Sequence, residues 1–235
     1  MALGNVPETT SPKPWPPAGV QWYYSDDAVA IAHGDCRDIL PSLGKVDLVL
    51  TDPPYGIGFS EYASYKDDPS SYQEFLWPIV EACESKVVDG WACVFQTAKK
   101  CREWHNLIPR EWRLIACPKT FVQIFQVTGP TWATDYALIW PIGKPPQKGK
   151  GRDWKVSDTA NMRFHRGHPC ARPLEQITYL VDCLSEIDQV VLDPFLGSGT
   201  TCAAAKWQGR KAIGIEIEER YCEIAANRCR QMVLV

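Results

Sequence analysis

Apolar positions along the chain follow two alternating periods. Val29-Ala30-Ile31-Ala32, followed by His33-Gly34-Asp35, predicts a short strand ending in a Gly-Asp turn, with a short helix at 36–43. Val46-Asp47-Leu48-Val49-Leu50-Thr51-Asp52 is a second apolar run of strand length, stopped by Pro53-Pro54. From 71 to 88, Phe75, Leu76, Ile79, Val80 and Cys83 recur at helical spacing. Apolar, β-rich content predicts strands at 91–96, 114–117 and 135–140. The rhythm fails over 141–173, a stretch rich in Gly, Pro and Lys, which predicts a loop or insertion. It resumes as helix 173–184, strand 190–193, helix 200–207, strand 212–216 and a closing helix at 220–232. Strands alternating with helices predict an α/β protein with a largely parallel sheet.

At 235 residues, 45% hydrophobic and 23% charged, the chain has material for one large domain, which excludes disorder as its main state. Residues 1–20 are Pro-rich without apolar periodicity and predict a flexible arm, leaving 21–235 as a single domain. Ten cysteines are scattered with no C-x-x-C spacing, as expected of reduced thiols rather than a zinc site, so no metal is expected. The N-terminus has no apolar leader, and the apolar runs fall far short of the roughly 20 residues of a membrane helix. A cytoplasmic protein with no membrane partner is expected. The formal charge of −3 argues, as a total, against a nucleic-acid partner.

Counting locally changes that picture. Lys144, Lys148, Lys150, Arg152, Lys155, Arg163, Arg166 and Arg172 face only Asp153 and Asp158 within 144–172, so this segment carries +6 and the remainder −9. With Trp154, Phe164 and two histidines, it suits a phosphate backbone, although a solvated charged loop would have the same composition.

Two motifs carry candidate chemistry. Asp193-Pro194-Phe195-Leu196-Gly197-Ser198-Gly199-Thr200-Thr201 follows a predicted strand and opens a helix, and Glu216 ends the next strand. Glycines there let the backbone approach a ligand beside the positive helix end, and an acid about 20 residues on suits a ribose diol. Cys202 replaces the third glycine of a dinucleotide fingerprint, so a nucleoside with a smaller charged tail, such as S-adenosylmethionine, fits better than a pyrophosphate. A Gly-rich turn with a surface Glu is the plainer reading. The second motif, Asp52-Pro53-Pro54-Tyr55, sits at a strand's carboxyl end. Asp52 and the Pro53 carbonyl can each accept a hydrogen from an exocyclic amine, and Tyr55 can stack on a flipped base. A capping Asp in a β-turn with a packed Tyr is the alternative.

Together these motifs resemble the S-adenosylmethionine-dependent DNA amino-methyltransferases (adenine-N6 or cytosine-N4). The amino-group motif precedes the cofactor motif, an order similar to the circularly permuted beta group. His33-Gly34-Asp35-Cys36-Arg37-Asp38 resembles that family's adenine-contacting segment, and His168-Pro169-Cys170-Ala171-Arg172-Pro173 its H-P-x-x-K-P segment, with Arg172 where Lys is commoner. The likeness covers roughly 29–225 and implies a three-layer Rossmann-like fold, a twisted, mostly parallel sheet with one reversed strand, circularly permuted. It implies Asp52, Pro53, Pro54 and Tyr55 at the target base. It implies Asp35, Asp52, Asp193, Phe195, Gly197, Gly199, Thr200, Thr201, Glu216, His168 and Arg172 around the cofactor S-adenosylmethionine.

The basic segment, about 141–167, lies where the family keeps its target-recognition region. Lys144, Lys148, Lys150, Arg152, Lys155, Arg163 and Arg166 are thereby expected at DNA, with Trp22, Trp132 and Trp154 the tryptophans to watch near it. Tyr62 and Tyr65 are candidates to cover a flipped base. So short a reader suggests a homodimer. Asp at position 52 favours adenine-N6, and cytosine-N4 is the nearest alternative. A catalytically silent DNA-binding relative and an NAD-dependent oxidoreductase are more distant readings. The resemblance places the enzyme in a bacterial or phage-infected cell, within a restriction-modification pair or as an orphan.

Overall fold

The computed structural model describes residues 14–55, 72–108, 111–119, 134–146, 151–157 and 171–231. Eight strands form one sheet: β1 (Tyr24–Ser25), β2 (Val29–His33), β3 (Val46–Thr51), β4 (Val87–Gln96), β5 (Arg113–Pro118), β6 (Thr134–Ile142), β7 (Val190–Asp193) and β8 (Lys211–Glu216). Their spatial order is β1-β2-β8-β7-β3-β4-β6-β5. The five central strands, β2 to β4, run parallel. The expected reversed strand is β6, antiparallel to both β4 and β5, and the two-residue β1 adds a second antiparallel ribbon at the far edge.

Both faces of the sheet are covered, which is why its central strands read as unbroken apolar runs. On one face α4 (Leu174–Leu184), α5 (Thr200–Trp207) and α6 (Glu219–Arg230) pack Ile177, Leu180, Val181, Ala204, Ala205, Ala225 and Ala226 against Ile31, Leu48, Leu50 and Val191. On the other, α1 (Cys36–Ile39), a 3-10 turn at Leu40–Ser42, α2 (Tyr72–Glu84) and α3 (Ala98–Leu107) pack Leu40, Leu76, Ile79, Val80 and Trp104 against Val49, Val94, Leu138, Leu192 and Ile213. The result is the expected three-layer α/β architecture.

Several elements differ from expectation. The helical pattern does not reach Val88: α2 stops at Glu84, and Val87 already pairs with Val46 in β4. Adjacent β-branched residues favour the strand. Helix α3 carries only a thin apolar stripe, Ala98, Cys101, Trp104 and Leu107, in a polar sequence; Trp104 supplies its buried anchor, touching Trp77 and Trp140. The apparently irregular 141–173 begins with the end of β6. It then runs alongside β5, where Ala116 N donates to Asp153 O at 2.8 Å and Lys155 N to Ala116 O at 2.9 Å. The expected free arm is docked over its last residues: Trp15 and Val20 pack on the core, and Trp15 Nε1 donates to the Asp26 carbonyl at 2.9 Å. Trp22 is spent on the same task, donating to the Pro17 carbonyl at 3.0 Å. Among the described residues no disulfide joins any of the nine cysteines and no group of acidic, His or Cys side chains could hold a metal. None of the described helices is long and apolar enough to cross a membrane.

Candidate active site

Four carboxylates stand at the carboxyl ends of four neighbouring strands: Asp35 after β2, Glu216 ending β8, Asp193 ending β7 and Asp52 after β3. With strands about 4.8 Å apart, the row from Asp35 to Asp52 spans roughly 15 Å. This is the edge where parallel sheets place ligands. A cleft of about 780 Å³, open mouth included, runs along it, lined by Asp35, Asp52, Phe195 and Glu216 among the expected residues.

The turn after β7 is built around two of these acids. Gly197 and Gly199 have φ of 53° and 80°, left-handed values that favour glycine. Glu216 anchors the turn, accepting from Gly197 N at 2.7 Å through Oε2 and from Glu218 N at 2.8 Å through Oε1. The Ile217 N–H bonds this carboxylate as well, which leaves about one of its four lone-pair sites for a ligand hydroxyl. Burial pushes the Glu216 carboxyl upward. Asp193 is buried beneath the turn, takes the Thr51 hydroxyl at 2.7 Å and Phe195 N at 3.1 Å, and is pushed up to about 6 by desolvation.

The other turn residues serve the scaffold. The Thr201 hydroxyl also bonds Asp193, and the Thr200 hydroxyl accepts from Arg228 Nη1 at 2.7 Å. Asp193, Gly197, Gly199, Thr200 and Thr201 thus shape the turn from behind and do not line the cleft. Cys202 is fully buried against Gly214, so the small residue that permits close helix–strand approach sits on β8 instead.

At the other end of the row, Asp52 is 24% exposed. Its Oδ1 accepts the Tyr55 hydroxyl at 2.6 Å and Arg172 Nη2 at 2.9 Å, and its Oδ2 accepts Arg172 Nε at 2.6 Å. A carboxylate offers about four lone-pair sites. Among the described residues nothing occupies the last one, on Oδ2. Arg172 Nη2 also donates to the Tyr55 hydroxyl, and Arg172 Nη1 pairs with Asp135 on β6. Arg172 therefore lies beside Asp52, away from the cofactor cleft where the resemblance puts it. Pro53 is buried and Pro54 lines the cleft. His168, Tyr62, Tyr65 and Trp132 lie outside the described residues.

The expected DNA contacts are dispersed. Lys144 sits at the opposite end of the sheet from the cleft, because β6 runs the other way; its N–H donates to Asp89 at 2.6 Å. Arg152 and Lys155 lie on the outer edge beside β5, with the Arg152 guanidinium 5.2 Å from the Trp154 ring centre. Lys148, Lys150, Arg163 and Arg166 lie outside the described residues.

Pattern reasoning missed Arg37, Phe75, Ile217, Glu218 and Tyr221, which complete the cleft. Arg37 pairs with Asp35 at 2.5 Å, which lowers the Asp35 carboxyl, and stands over the Phe75 ring. Three of these five lie within two residues of motif acids, a usable signal. Tyr221 and Phe75 arrive through packing of α6 and α2. His33 is structural, its Nε2 3.1 Å from the Ile217 carbonyl.

A family model described as DNA methylase, of the N6/N4 methyltransferase type, matches residues 121–227. The type II methyltransferase M.ScaI of Streptomyces caespitosus is 49% identical over 266 aligned positions, covering 88% of this chain and 83% of that protein. Among solved structures, the M1.HpyAVI–SAM complex superposes with a TM-score of 0.67 at 23% identity, over 85% of this chain and 99% of that one. The cytosine-N4-specific PvuII DNA methyltransferase gives a TM-score of 0.73 at 16% identity, over 92% of each.

Proposed function

The chain belongs to the N6/N4 DNA methylase family, and from that premise we propose that it methylates the exocyclic N6 amine of a flipped adenine in DNA, with S-adenosylmethionine as donor. The observation that carries the reading is Asp52: a hydrogen-bonded carboxylate with one open acceptor lobe, in line with the cofactor turn. The donor fits the cleft chemically. Asp35 suits the adenine, Glu216 the ribose diol, and Pro194, Phe195 and Ile217 the apolar faces.

Bound S-adenosylmethionine supplies a methyl already activated on its sulfonium, so the residues have mainly to align nitrogen, carbon and sulfur. An exocyclic amine is a poor nucleophile because its lone pair is delocalised into the ring. Asp52 and the Pro53 carbonyl, accepting its two hydrogens, favour a pyramidal nitrogen and offset the positive charge that grows on it. As the new N–C bond forms, the C–S pair returns to sulfur, and the nitrogen then sheds one proton to solvent. Tyr55 offers a ring to the base face.

The motif order, with 52–55 ahead of 193–201, supports a permuted member of the family. Arg152 and Lys155, with the neighbouring basic positions, offer a small phosphate-binding edge, and its size favours two copies acting together. The acceptor pair at 52–53 suits the cytosine N4 amine equally, so cytosine-N4 is the second reading, and Asp at position 52 tilts the choice to adenine. Incubation with DNA and S-adenosylmethionine, followed by nucleoside mass spectrometry, tests this directly. N6-methyladenine is expected; N4-methylcytosine transfers the assignment to the second reading, and no methylated base at all overturns both.

A further inference from the structure

Behind the open lobe of Asp52 lies a four-charge chain drawn from four separate elements. Arg172, 9% exposed just before α4, reaches Asp52 with Nε and Nη2 and Asp135 with Nη1, and Asp135 also pairs with Lys119 Nζ at 2.6 Å. The guanidinium lies over the Phe95 ring at 4.5 Å, which fixes its plane. We propose that Arg172 is a positioning residue for methyl transfer: by bridging Asp52 and Asp135 it fixes the direction of the Asp52 carboxylate and leaves one acceptor lobe for the target amine. The inference rests on the methylation reading above and assigns a role to this arginine within it.

Geometry decides why the residue is arginine. One planar fork grips two carboxylates in fixed directions, whereas an ammonium is a point charge with no plane to impose. Without the guanidinium, Asp52 would face Asp135 on one side and Asp193 on another, both carboxylates, with Lys119 already committed to Asp135. On the cleft side the Asp35–Arg37 pair, Glu216 and Glu218 leave no net positive charge to replace it. With no fork to hold it, the Asp52 carboxylate would be free to turn, and its open lobe would lose its aim at the target amine.

Methylation of DNA is measured for the wild type, Arg172→Lys, Arg172→Gln and Arg172→Gln/Asp135→Asn, with S-adenosylmethionine affinity by titration calorimetry. Arg172→Gln is expected to lose kcat by roughly ten- to a hundredfold, the range for a lost charge-assisted hydrogen bond, with cofactor affinity nearly unchanged. Removing Asp135 as well relieves its repulsion of Asp52 but restores no fork, so the double variant should stay as slow as Arg172→Gln. Arg172→Lys keeps the charge without the fork, so its kcat should fall only several-fold. If a folded Arg172→Gln keeps the wild-type rate, the positioning role is wrong. Should that variant fail to fold, Arg172→Lys decides, and its coincidence with wild type in rate overturns the proposal. A wild type inactive on DNA would instead defeat the methylation reading itself.

Discussion

Replacing Gly199 by Ala probes how the cofactor turn is seated on α6. The backbone there has φ of 80°, and a Cβ at Gly199 would lie 2.7 Å from Ala225 Cβ and 2.8 Å from its Cα. Two separable costs follow. A non-glycine residue in the left-handed region costs about 1–2 kcal/mol, and forcing one carbon into close-packed helix costs about 1–3 kcal/mol. For a chain of this size their sum of about 2–5 kcal/mol lowers Tm by roughly 5–15 °C. Ala225→Gly alone should cost about 1 kcal/mol of helix propensity. In the double variant it removes the Cβ contact while the 2.8 Å approach to the residue-225 Cα remains, so the two changes should couple favourably by about 1 kcal/mol, the share of the clash that the Ala225 methyl supplies. Thermal or urea unfolding of the four proteins measures the cycle. Additive effects, or a Gly199→Ala Tm within about 2 °C of wild type, would refute the close approach and with it the account of how α6 brings Tyr221 into the cleft.

Three further perturbations follow from the same geometry. Asp193 is raised to about 6 from an ordinary 3.8, so between those values the unfolded chain has released a proton that the folded chain still holds. Stability from this group therefore declines as pH rises from about 4 to 6, by about 2–3 kcal/mol, and Asp193→Asn should flatten that decline in urea titrations at stepped pH. Asp26, held down to about 2 through bonds from Lys206, Tyr24, Ala28 N and Val29 N, contributes stability above the unfolded value that is lost as pH falls toward 2. Asp26→Ala should cost about 1–3 kcal/mol at pH 7 and progressively less in acid, read by the same titrations. Glu216→Gln swaps one acceptor for a donor where both oxygens take backbone N–H groups, and should weaken S-adenosylmethionine binding by roughly ten- to a hundredfold in calorimetry; unchanged affinity would remove Glu216 from the cleft's working set.

How much of this was legible in the chain depends on the range of the interaction. Strands buried on both faces announce themselves locally, so β2, β3, β7 and β8 fall close to where apolar runs predict them. Motif acids at strand ends were equally visible, because the sheet carries them to one edge whatever lies between. Helix α3 was missed because its seating depends on a single indole, Trp104, wedged between Trp77 and Trp140 from other elements. The Arg172 contacts were out of reach for the same reason: its partners lie 120 positions away at Asp52 and in a strand that runs backwards at Asp135.

That contact also revises the meaning of the local charge. The +6 of 144–172 counts Arg172, which two carboxylates neutralise inside the protein, and Lys144, which the reversed course of β6 carries to the far end of the sheet. Charge in a segment becomes a field at a surface only where the fold leaves it there. Arg152 and Lys155, on a stretch that backbone bonds hold along β5, are the described basic residues of that segment left at the sheet's outer edge. They lie about four strand spacings from Asp52, roughly 20 Å, farther than either side chain can reach. On the proposed reading, DNA gripped there would have to present its target base across the intervening strands, so Arg152 and Lys155 could hold the phosphates but not the base itself.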